Sequence, residues 1–353
     1  MPNTVNLALI SSHGNLFSRN KPLFQGDFLN VTLVCCDADP LQGTDFVDEI
    51  IIFQSHEKCG GSAQNLIENQ DVLQKLPEFV LFEDDDWLYQ ISRSNLDDEL
   101  KSKLLPIKNP KYFEVAGSKI SQIQLFSELG IPHPTTQIYD ISMSERLTIP
   151  FPFIAKGERR SGGVEVAFIE NNRQLEEFTH KQNHKFLIQE NIIGNELNAD
   201  AFYRNGKLIF VAFSSTKFAM WKFGPFARRD YARKIPNEVS ENLQLIGEKL
   251  QFNGIANVTF MKDSKNKNLK LFEFDARLNV WAHVSILFGF DPQEFYRNST
   301  AMNFTNPMGK VFVNRPRFNK YLDDTYGNRV TLKRLHLLKT KIRVFISGGS
   351  FTD

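Results

Sequence analysis

Four short apolar segments, separated by polar stretches, set the strongest constraint on how this chain can fold. A helical pattern over Ala63–Leu76 lies between two of these segments. Short buried strands that alternate with helices are typical of an open parallel α/β sheet. The predicted strands are Val5–Ile10, Val31–Cys36, Glu49–Phe53 and Phe79–Phe82.

A sheet of this kind binds its ligands outside the carboxyl ends of its strands. Candidate residues at those ends are His13, Gly14, Asp37 and the acidic run Asp84–Asp86. Each also has a structural interpretation, because Gly and Asp are common in turns and carboxylates favour helix N-termini. The first strand lacks the Gly-x-Gly-x-x-Gly pattern of dinucleotide-binding folds, which argues against a nicotinamide-dependent oxidoreductase.

The composition narrows the class of protein further. With 42 Lys and Arg against 41 Asp and Glu, the net charge of +1 argues against a dedicated nucleic-acid binder. No window approaches the roughly 18 consecutive apolar residues of a membrane span. The first apolar segment is too short for a signal-peptide core. Three cysteines without zinc-ligand spacing favour a reduced, cytoplasmic protein with no membrane partner.

A glycine-rich hairpin in the middle of the chain is a candidate binding element. A helix over Ser118–Leu129 ends at a Gly-Ile-Pro sequence, and the predicted strand Phe151–Lys156 then runs into the loop Gly157–Gly163. A second strand, Val164–Ile169, follows this loop. Free backbone N–H groups and mobile cations suit a polyphosphate. The alternative is a plain hairpin, since short motifs of this kind often carry no function.

A second hairpin follows in the sequence. A predicted strand over Lys185–Glu190 leads through a short linker to another strand that begins at Glu196. The Asn-Gly dipeptide that begins at position 205 is typical of a type I′ turn. It predicts that Leu197–Tyr203 pairs with Lys207–Phe213 in an antiparallel hairpin.

Three charged side chains lie on the last predicted strand pair, Gly254–Met261 and Leu269–Asn279. Glu273, Asp275 and Arg277 alternate with other residues, so they project from one face of the strand. Charged groups on an otherwise apolar strand are costly unless they have partners. Mg²⁺ together with phosphate oxygens would satisfy all three groups. A row of structural salt bridges is the alternative.

The order of these features resembles the ATP-grasp superfamily, from about Val5 to Ala301. The resemblance rests on three motifs. The first is Lys156 with its glycine-rich loop. The second is Gln-Glu at position 189 followed by Gly-x-Glu at position 194, and the third is the Glu-x-Asp-x-Arg sequence that begins at Glu273. A Trp follows that last sequence at Trp281. The carboligase-like branch, with biotin carboxylase and the large-chain ATP-binding domains of carbamoyl-phosphate synthetase, is the part of the superfamily that the sequence resembles.

The resemblance implies an α/β protein of the α+β ATP-grasp type. An N-terminal open parallel α/β sheet would precede a two-subdomain ATP-grasp module. The implied divisions are an N-terminal domain over residues 1–112, a small subdomain with the glycine-rich loop over 113–187, and a large subdomain with the metal site over 188–310. A basic C-terminal extension covers 311–353; it is either a solvated or folded-back segment or a docking site for an acidic partner.

The resemblance also implies roles for individual residues. Arg277 and Lys156 would be catalytic, and Arg277 would bind the transferring phosphoryl group. Glu273 and Asp275 would hold Mg²⁺, with two ions expected. The residues implied to bind ATP are Lys119, Lys156, Ser161, Gly162, Gly163, Glu190, Ile192, Glu196 and Lys217. Further cations for phosphate or substrate are Arg228, Arg229 and Arg233, and the candidates for the acceptor pocket are His13, Asp84–Asp86, Trp281 and His283.

Two positions depart from the pattern of the superfamily. The usual first metal ligand, an Asp, Glu or Gln, is replaced by Thr259, and the usual Asn ligand is replaced by Asp275. A neutral hydroxyl is a poorer Mg²⁺ ligand than a carboxylate. Metal binding is therefore either rearranged or degenerate.

The function implied is an ATP-dependent ligase that activates a carboxylate as an acyl phosphate for attack by an amine. The partners would be small-molecule carboxylate and amine substrates, with a homodimer possible. The first alternative is an enzyme that phosphorylates bicarbonate. The second is a nucleotide-binding protein without turnover.

Overall fold

The structure is a computed structural model of the chain. It describes residues 4–12, 15–36, 39–53, 63–77, 79–140, 146–159, 163, 165–182, 185–219, 223, 226–232, 234–297, 310–314 and 342–345. Within these ranges the strands form three sheets. None of the described helices is both long and apolar enough to cross a membrane.

The N-terminal part forms the open parallel sheet that the apolar segments predict. Its strands lie in the order β3-β2-β1-β4, and each described pairing is parallel. All four predicted strands are confirmed, with small differences at their ends. The strands are β1 Val5–Ile10, β2 Leu29–Cys35, β3 Glu49–Ile52 and β4 Phe79–Phe82.

Short helices accompany this sheet. The continuous helix predicted over Ala63–Leu76 is wrong in one respect, because two helices meet at Asn69. The Asn69 side-chain amide donates to the Asn65 carbonyl oxygen at 2.6 Å, and such side-chain bonds compete with helix continuation. The helices are α1 Asn15–Arg19, α2 Ala63–Glu68, α3 Gln70–Lys75, α4 Asp85–Ser92 and α5 Asp98–Leu104.

A small antiparallel sheet, in the order β5-β8-β6-β7, contains the glycine-rich hairpin. The helix before it is confirmed, and Ser118 caps it by accepting from the Ser121 N–H at 3.2 Å. Strands β6 and β7 pair antiparallel, which confirms the predicted hairpin. The elements are α6 Lys119–Glu128, β5 Thr136–Tyr139, β6 Phe153–Gly157, β7 Val166–Ile169, α7 Asn172–Thr179 and β8 Phe186–Glu190.

The remaining described strands form an antiparallel sheet in the order β13-β12-β9-β10-β11-β14-β15. Asn205 and Gly206 have φ values of 48° and 79°, which confirms the type I′ turn between β9 and β10. The elements are β9 Gly194–Arg204, β10 Lys207–Ala219, β11 Phe226–Tyr231, α8 Asn237–Leu250, β12 Gly254–Asp263, β13 Leu269–Asp275, α9 Pro292–Arg297, β14 Lys310–Asn314 and β15 Ile342–Phe345.

Aromatic packing joins the parallel sheet to the large antiparallel sheet. Phe79 of β4 contacts Phe295 and Tyr296 of α9, with ring centroids 5.8 and 5.3 Å apart. Phe202 of β9 packs on Phe290 at 3.9 Å. Each fully buried aromatic ring contributes roughly 1.5–3 kcal/mol from the area it removes from water. This core brings the carboxyl end of β4 close to the end of β13.

Candidate functional site

The charged residues at the end of β13 contact side chains from two other parts of the fold. Lys119, at the start of α6, places its Nζ 3.1 Å from Glu273 Oε1. Arg277 forms an ion pair with Asp85, the first residue of α4. The positive charge of Lys156, on β6, lowers the pKa of Glu273. The structure therefore brings together the residues that the sequence predicted to serve phosphoryl transfer.

The ion pair between Lys119 and Glu273 is partly buried, and it changes the pKa of both groups. Burial opposes ionisation of Glu273, but the neighbouring Lys119 and Lys156 outweigh it and hold the pKa of Glu273 below its ordinary value. Burial likewise opposes the charge on Lys119, and the carboxylates of Glu273 and Asp275 raise its pKa nonetheless. Both groups therefore stay charged at neutral pH.

Lys156 is almost completely buried, with 5% of its surface exposed. Its ammonium lies 3.3 Å from the centre of the Phe272 ring. The register of β12 and β13 shifts after the pair Thr259–Glu273, which leaves Phe272 as the additional residue of a bulge. Burial lowers the pKa of Lys156 to about 7, although the Glu273 carboxylate favours the charged form.

The Asp275 carboxyl group lies near two other carboxylates and near the Arg277 guanidinium. Asn257 Nδ2 donates to Asp275 Oδ2 at 3.4 Å, and Arg277 Nη2 lies 3.8 Å from the same oxygen. Burial, followed by the Glu273 and Asp85 carboxylates, raises the pKa of Asp275 to about 8. A cation bound beside these groups would remove that repulsion, so the arrangement favours cation binding.

The donor set of this face fits Mg²⁺, which prefers oxygen ligands and keeps contacts to substrate phosphates. In the part of the chain that the structure describes, no three Asp, Glu, His or Cys side chains are grouped as a metal site. If Glu273 and Asp275 hold the ion, substrate phosphates and water are left to complete its coordination. The facing position on β12 is Thr259, whose Oγ1 donates to Asn198 Oδ1 at 3.4 Å. The hydroxyl adds a weaker ligand than the usual carboxylate.

A buried ion pair lies behind the carboxylates. Arg229 Nη1 donates to Asp200 Oδ2 at 2.9 Å, and the two side chains are only 6% and 1% exposed. Arg229 Nη2 donates to Asn198 Oδ1 at 3.1 Å and to Asn257 Oδ1 at 3.2 Å. Asn279 Nδ2 donates to Asp200 and, at 2.5 Å, to Asn257 Oδ1. The Arg229 guanidinium is therefore paired within the protein, and a role of this residue as a cation for phosphate or substrate stays a prediction.

The asparagines of this network connect the ion pair to the site. Asn198 Nδ2 donates to Glu196 Oε1 at 3.0 Å, and Asn257 binds Asp275. Sequence reasoning missed Asn198, Asp200 and Asn257. A signal was present, because Glu196, Asn198 and Asp200 alternate along β9 and share one face, as do Asn257 and Thr259 along β12.

Glu196 is the carboxylate implied to hold ribose hydroxyls. Burial raises the pKa of Glu196 to about 7, against the opposing effect of its hydrogen bond from Asn198. Its carbonyl oxygen accepts a hydrogen bond from Thr216 Oγ1 at 3.2 Å. A carboxylate poised between its two protonation states can accept hydrogen bonds from hydroxyl groups or donate one to them.

Glu190 and Ile192 lie in the linker that is predicted to recognise adenine, and the Glu190 side chain is already engaged in contacts within the protein. Glu190 Oε1 accepts from the Thr135 N–H at 2.8 Å and pairs with Lys270 of β13. Burial opposes ionisation of Glu190, and the hydrogen bond from Lys270 lowers its pKa nonetheless. The Glu190 side chain thus joins the small sheet to the large one, and Ile192 is half-buried beside it in the chain. Recognition of adenine by this linker stays a prediction.

Two predicted cations lie on the hairpin of β10 and β11. Lys217 is exposed and faces Arg228 in the register of the two strands. Arg228 Nε donates to Asp230 Oδ1 at 2.6 Å. A role of Lys217 or Arg228 in phosphate binding stays a prediction.

The glycine-rich loop is described only in part. Gly163 has a φ of +76°, and a Cβ atom there would lie 1.9 Å from the Phe223 carbonyl oxygen. Only glycine fits this close approach between the loop and the connection of β10 to β11. Several predicted site residues lie outside the described residues, namely Ser161, Gly162, His13, Gly14, Asp37 and Arg233.

The candidates for the acceptor pocket make structural contacts. Trp281 is buried, and its ring centre lies 5.6 Å from the Arg229 guanidinium. Asn20 Oδ1 accepts from the His283 backbone N–H at 2.8 Å and lies 3.3 Å from His283 Nδ1. Burial lowers the pKa of His283 to about 4, so the imidazole is neutral at physiological pH.

The acidic run Asp84–Asp86 begins a helix and contacts two arginines. Asp84 caps α4 by accepting from the Asp86 N–H at 2.8 Å. Asp85 binds Arg277, and Asp86 Oδ1 lies 3.9 Å from Arg159 Nη1 at the glycine-rich loop. The structural interpretation, a helix start, is confirmed, and the role of the run in an acceptor pocket stays a prediction.

The sequence matches no protein-family model, and no curated protein is similar to it in sequence. Solved structures are similar in fold. The N5-carboxyaminoimidazole synthetase from Staphylococcus aureus complexed with ADP gives a TM-score of 0.66 at 14% identity, over 89% of this chain and 83% of that one. The L-amino acid ligase from Bacillus licheniformis gives 0.64 at 14% identity, over 89% and 80% of the two chains.

A third similar structure is the biotin carboxylase domain dimer of 2-oxoglutarate carboxylase from Hydrogenobacter thermophilus, in complex with MgADP, ADP and bicarbonate. It gives a TM-score of 0.67 at 13% identity, over 89% of this chain and 75% of that one. Biotin carboxylase is a member of the branch that the sequence resembles, and the order of the three sheets agrees with the expected α/β architecture. The chain has the ATP-grasp fold.

Proposed function

We propose that the protein is an ATP-dependent ligase that activates a carboxylate as an acyl phosphate for attack by an amine. The observation that carries the proposal is the grouping of Lys119, Lys156, Glu273, Asp275 and Arg277 at the end of β13 in a chain with this fold. Phosphoryl transfer needs positioning and charge neutralisation more than covalent chemistry from the protein. The basic groups of Lys119, Lys156 and Arg277 and the carboxyl groups of Glu273 and Asp275 lie close together and meet both needs.

In the first step, a carboxylate oxygen of the substrate attacks the γ-phosphorus of ATP, and the bond to the β,γ-bridging oxygen breaks to release ADP. Lys119 and Lys156 neutralise the phosphate oxygens. Arg277 binds the transferring group, because a planar guanidinium suits phosphate oxygens. In the second step, the amine nitrogen attacks the acyl carbon, phosphate leaves, and the nitrogen loses a proton.

Glu273 and Asp275 would hold Mg²⁺ in this site, with one or two ions depending on what Thr259 contributes. The ion supplies charge neutralisation at the phosphate oxygens when it is bound. Glu196 would hold the ribose hydroxyls. The loop 157–163 would cover the phosphates and exclude water, which matters because an acyl phosphate is easily hydrolysed.

A second candidate function is nucleotide binding without turnover, and Thr259 is the observation that favours it. Thr259 replaces a carboxylate ligand at the strand position that faces Glu273. A protein of this kind would bind ATP and release no phosphate with any substrate.

Phosphate release from MgATP tests the proposal. Mixtures of small carboxylates with amines, and bicarbonate alone, serve as substrates, and Glu273→Gln serves as the inactive control. Release that requires both a carboxylate and an amine and is lost in Glu273→Gln supports the ligase. Release with bicarbonate alone supports the carboxylase alternative. Bound ATP with no release in any mixture supports binding without turnover and contradicts the proposal.

The low pKa of Lys156 predicts proton uptake when a nucleotide binds. With a pKa of about 7, a large part of the amine is neutral at pH 7.5, and a bound polyphosphate favours the protonated form. Binding of ADP without Mg²⁺ should therefore take up protons. Lys156→Arg should reduce the uptake, because an arginine is already charged.

Calorimetry in two buffers of different ionisation enthalpy measures this proton uptake. Lys185→Arg is the matched control, since Lys185 is exposed and pairs with Asp140. Equal proton uptake by wild type and Lys156→Arg would show that Lys156 does not titrate with the nucleotide.

A further inference from the structure

The guanidinium of Arg277 is held from the N-terminal part of the chain. Arg277 Nη2 donates to Asp85 Oδ2, and the two side chains are 10% and 13% exposed. Asp85 begins α4, directly after the carboxyl end of β4. A charge pair this deeply buried is sensitive to the loss of one partner, because the remaining charge is left without compensation.

The remaining contacts of the Arg277 guanidinium show how the ion pair with Asp85 fixes its orientation. Nη1 donates to the Leu278 carbonyl oxygen at 3.1 Å. Nη2 lies 3.8 Å from Asp275 Oδ2, too far for a hydrogen bond. Nε is buried and has no hydrogen-bond partner among the described residues. One edge of the guanidinium is thus fixed, and Nε remains available to an oxyanion.

Asp85 therefore competes with Asp275 for the same nitrogen. Were the Asp85 charge removed, the Asp275 carboxyl group, whose Oδ2 lies 3.8 Å from Nη2, would be left facing the guanidinium, and Arg277 could close this gap and pair with it directly. That movement would turn the guanidinium away from its present position. It would also occupy an oxygen that the proposed function assigns to Mg²⁺.

We propose that Asp85 is a positioning residue that holds Arg277 for the phosphoryl group and keeps it from pairing with Asp275. This inference rests on the proposed function, because it assigns the phosphoryl group to Arg277. It adds a requirement outside the motifs of the nucleotide site: a carboxylate at the start of α4 orients the arginine that follows β13.

The test uses MgADP and inorganic phosphate as probes of the full-length protein. Asp85→Asn keeps the size of the side chain and removes its charge. Asp98→Asn is the matched control, since Asp98 is also the first residue of a helix capped by an aspartate, and it is exposed. Both variants remove the same charge from a helix start.

Calorimetry first measures MgADP affinity, and phosphate is then titrated into the MgADP-loaded protein. For Asp85→Asn, we expect MgADP affinity within about twofold of wild type when Mg²⁺ is saturating, and phosphate affinity lower by roughly tenfold or more. The Mg²⁺ concentration needed for half-maximal ADP binding should rise. Asp98→Asn should match wild type in all three quantities. A purely structural role would not separate phosphate affinity from MgADP affinity.

Phosphate affinity in Asp85→Asn equal to that of wild type would overturn the inference while leaving the proposed function intact. If wild type binds no MgADP, the proposed function fails and the inference fails with it. If Asp85→Asn does not fold, Asp85→Glu decides the question. Its carboxylate is displaced by one methylene, so phosphate affinity should fall at unchanged MgADP affinity, and equality with wild type would contradict the inference.

Discussion

Asp200→Ala is expected to lower the free energy of unfolding by about 3–5 kcal/mol, the loss typical of breaking a buried ion pair. The substitution leaves Arg229 charged at 6% exposure without its carboxylate. It also removes one of the two acceptors of the Asn279 side-chain amide. Burial raises the pKa of Asp200, and the Arg229 guanidinium opposes that rise. We expect most of the decrease in the free energy of unfolding to arise because the buried Arg229 charge is left without a carboxylate partner. Urea unfolding followed by circular dichroism measures this decrease.

The neighbouring ion pair on β11 supplies the control. Asp230 pairs with Arg228, and these side chains are 21% and 29% exposed. Asp230→Ala should cost about 1 kcal/mol or less, as is usual for pairs near the surface. A loss in Asp200→Ala no larger than that in Asp230→Ala would contradict the role given to the buried network.

The second large effect is expected where the sequence departs from the superfamily. The double variant Thr259→Glu with Asp275→Asn restores the usual pair of ligands at unchanged net charge. We expect its Mg²⁺ affinity in the presence of ADP to rise by about tenfold, which corresponds to roughly 1.4 kcal/mol. The carboxylate at position 259 would face Glu273 across β12 and β13, where an oxygen ligand of full charge replaces a hydroxyl.

The variants Thr259→Glu and Asp275→Asn, each made alone, separate the effects of the two substitutions on Mg²⁺ binding. Thr259→Glu alone places a third carboxylate beside Glu273 and Asp275, so it should destabilise the metal-free protein and increase the stabilisation by Mg²⁺. Asp275→Asn alone should weaken Mg²⁺ binding. Thermal unfolding with and without Mg²⁺ and ADP measures both. A fall in Mg²⁺ affinity in the double variant would show that position 259 does not face the ion.

The sequence predicts most of the fold because its signals are local. Buried parallel strands such as Phe79–Phe82 are short apolar runs, and the Asn-Gly turn between β9 and β10 depends on two residues alone. The break at Asn69 was missed for the opposite reason. A single side-chain hydrogen bond interrupts a pattern that is otherwise helical.

The site was predictable where one strand carries it. Glu273 and Asp275 alternate on β13 and therefore share one face. The strand predicted over Leu269–Asn279 ends at Asp275, so Arg277 follows the strand. Their long-range partners were not predictable in this way. Asp85 lies 192 residues from Arg277 in sequence, and its position at a helix start has a sufficient local explanation. Only the packing of the N-terminal sheet against the large sheet brings the pair together.

Arg229 shows that a side chain predicted to bind phosphate or substrate can already have partners within the protein. Its place in the sequence suggested a cation for phosphate or substrate. The alternating polar residues Asn198 and Asp200 of β9, together with Asn257 of β12, bind its guanidinium within the protein. A sequence shows the charge of a side chain but not whether a buried partner already neutralises it.

The most direct test of the central claim is ADP binding by calorimetry with and without Mg²⁺, in wild type, Glu273→Ala and the control Glu49→Ala, which changes an exposed residue of β3. We expect Mg²⁺ to strengthen ADP binding in wild type and in Glu49→Ala, and we expect this gain to disappear in Glu273→Ala. ADP binding that is independent of Mg²⁺ and of Glu273, or no ADP binding at all, would contradict the central claim.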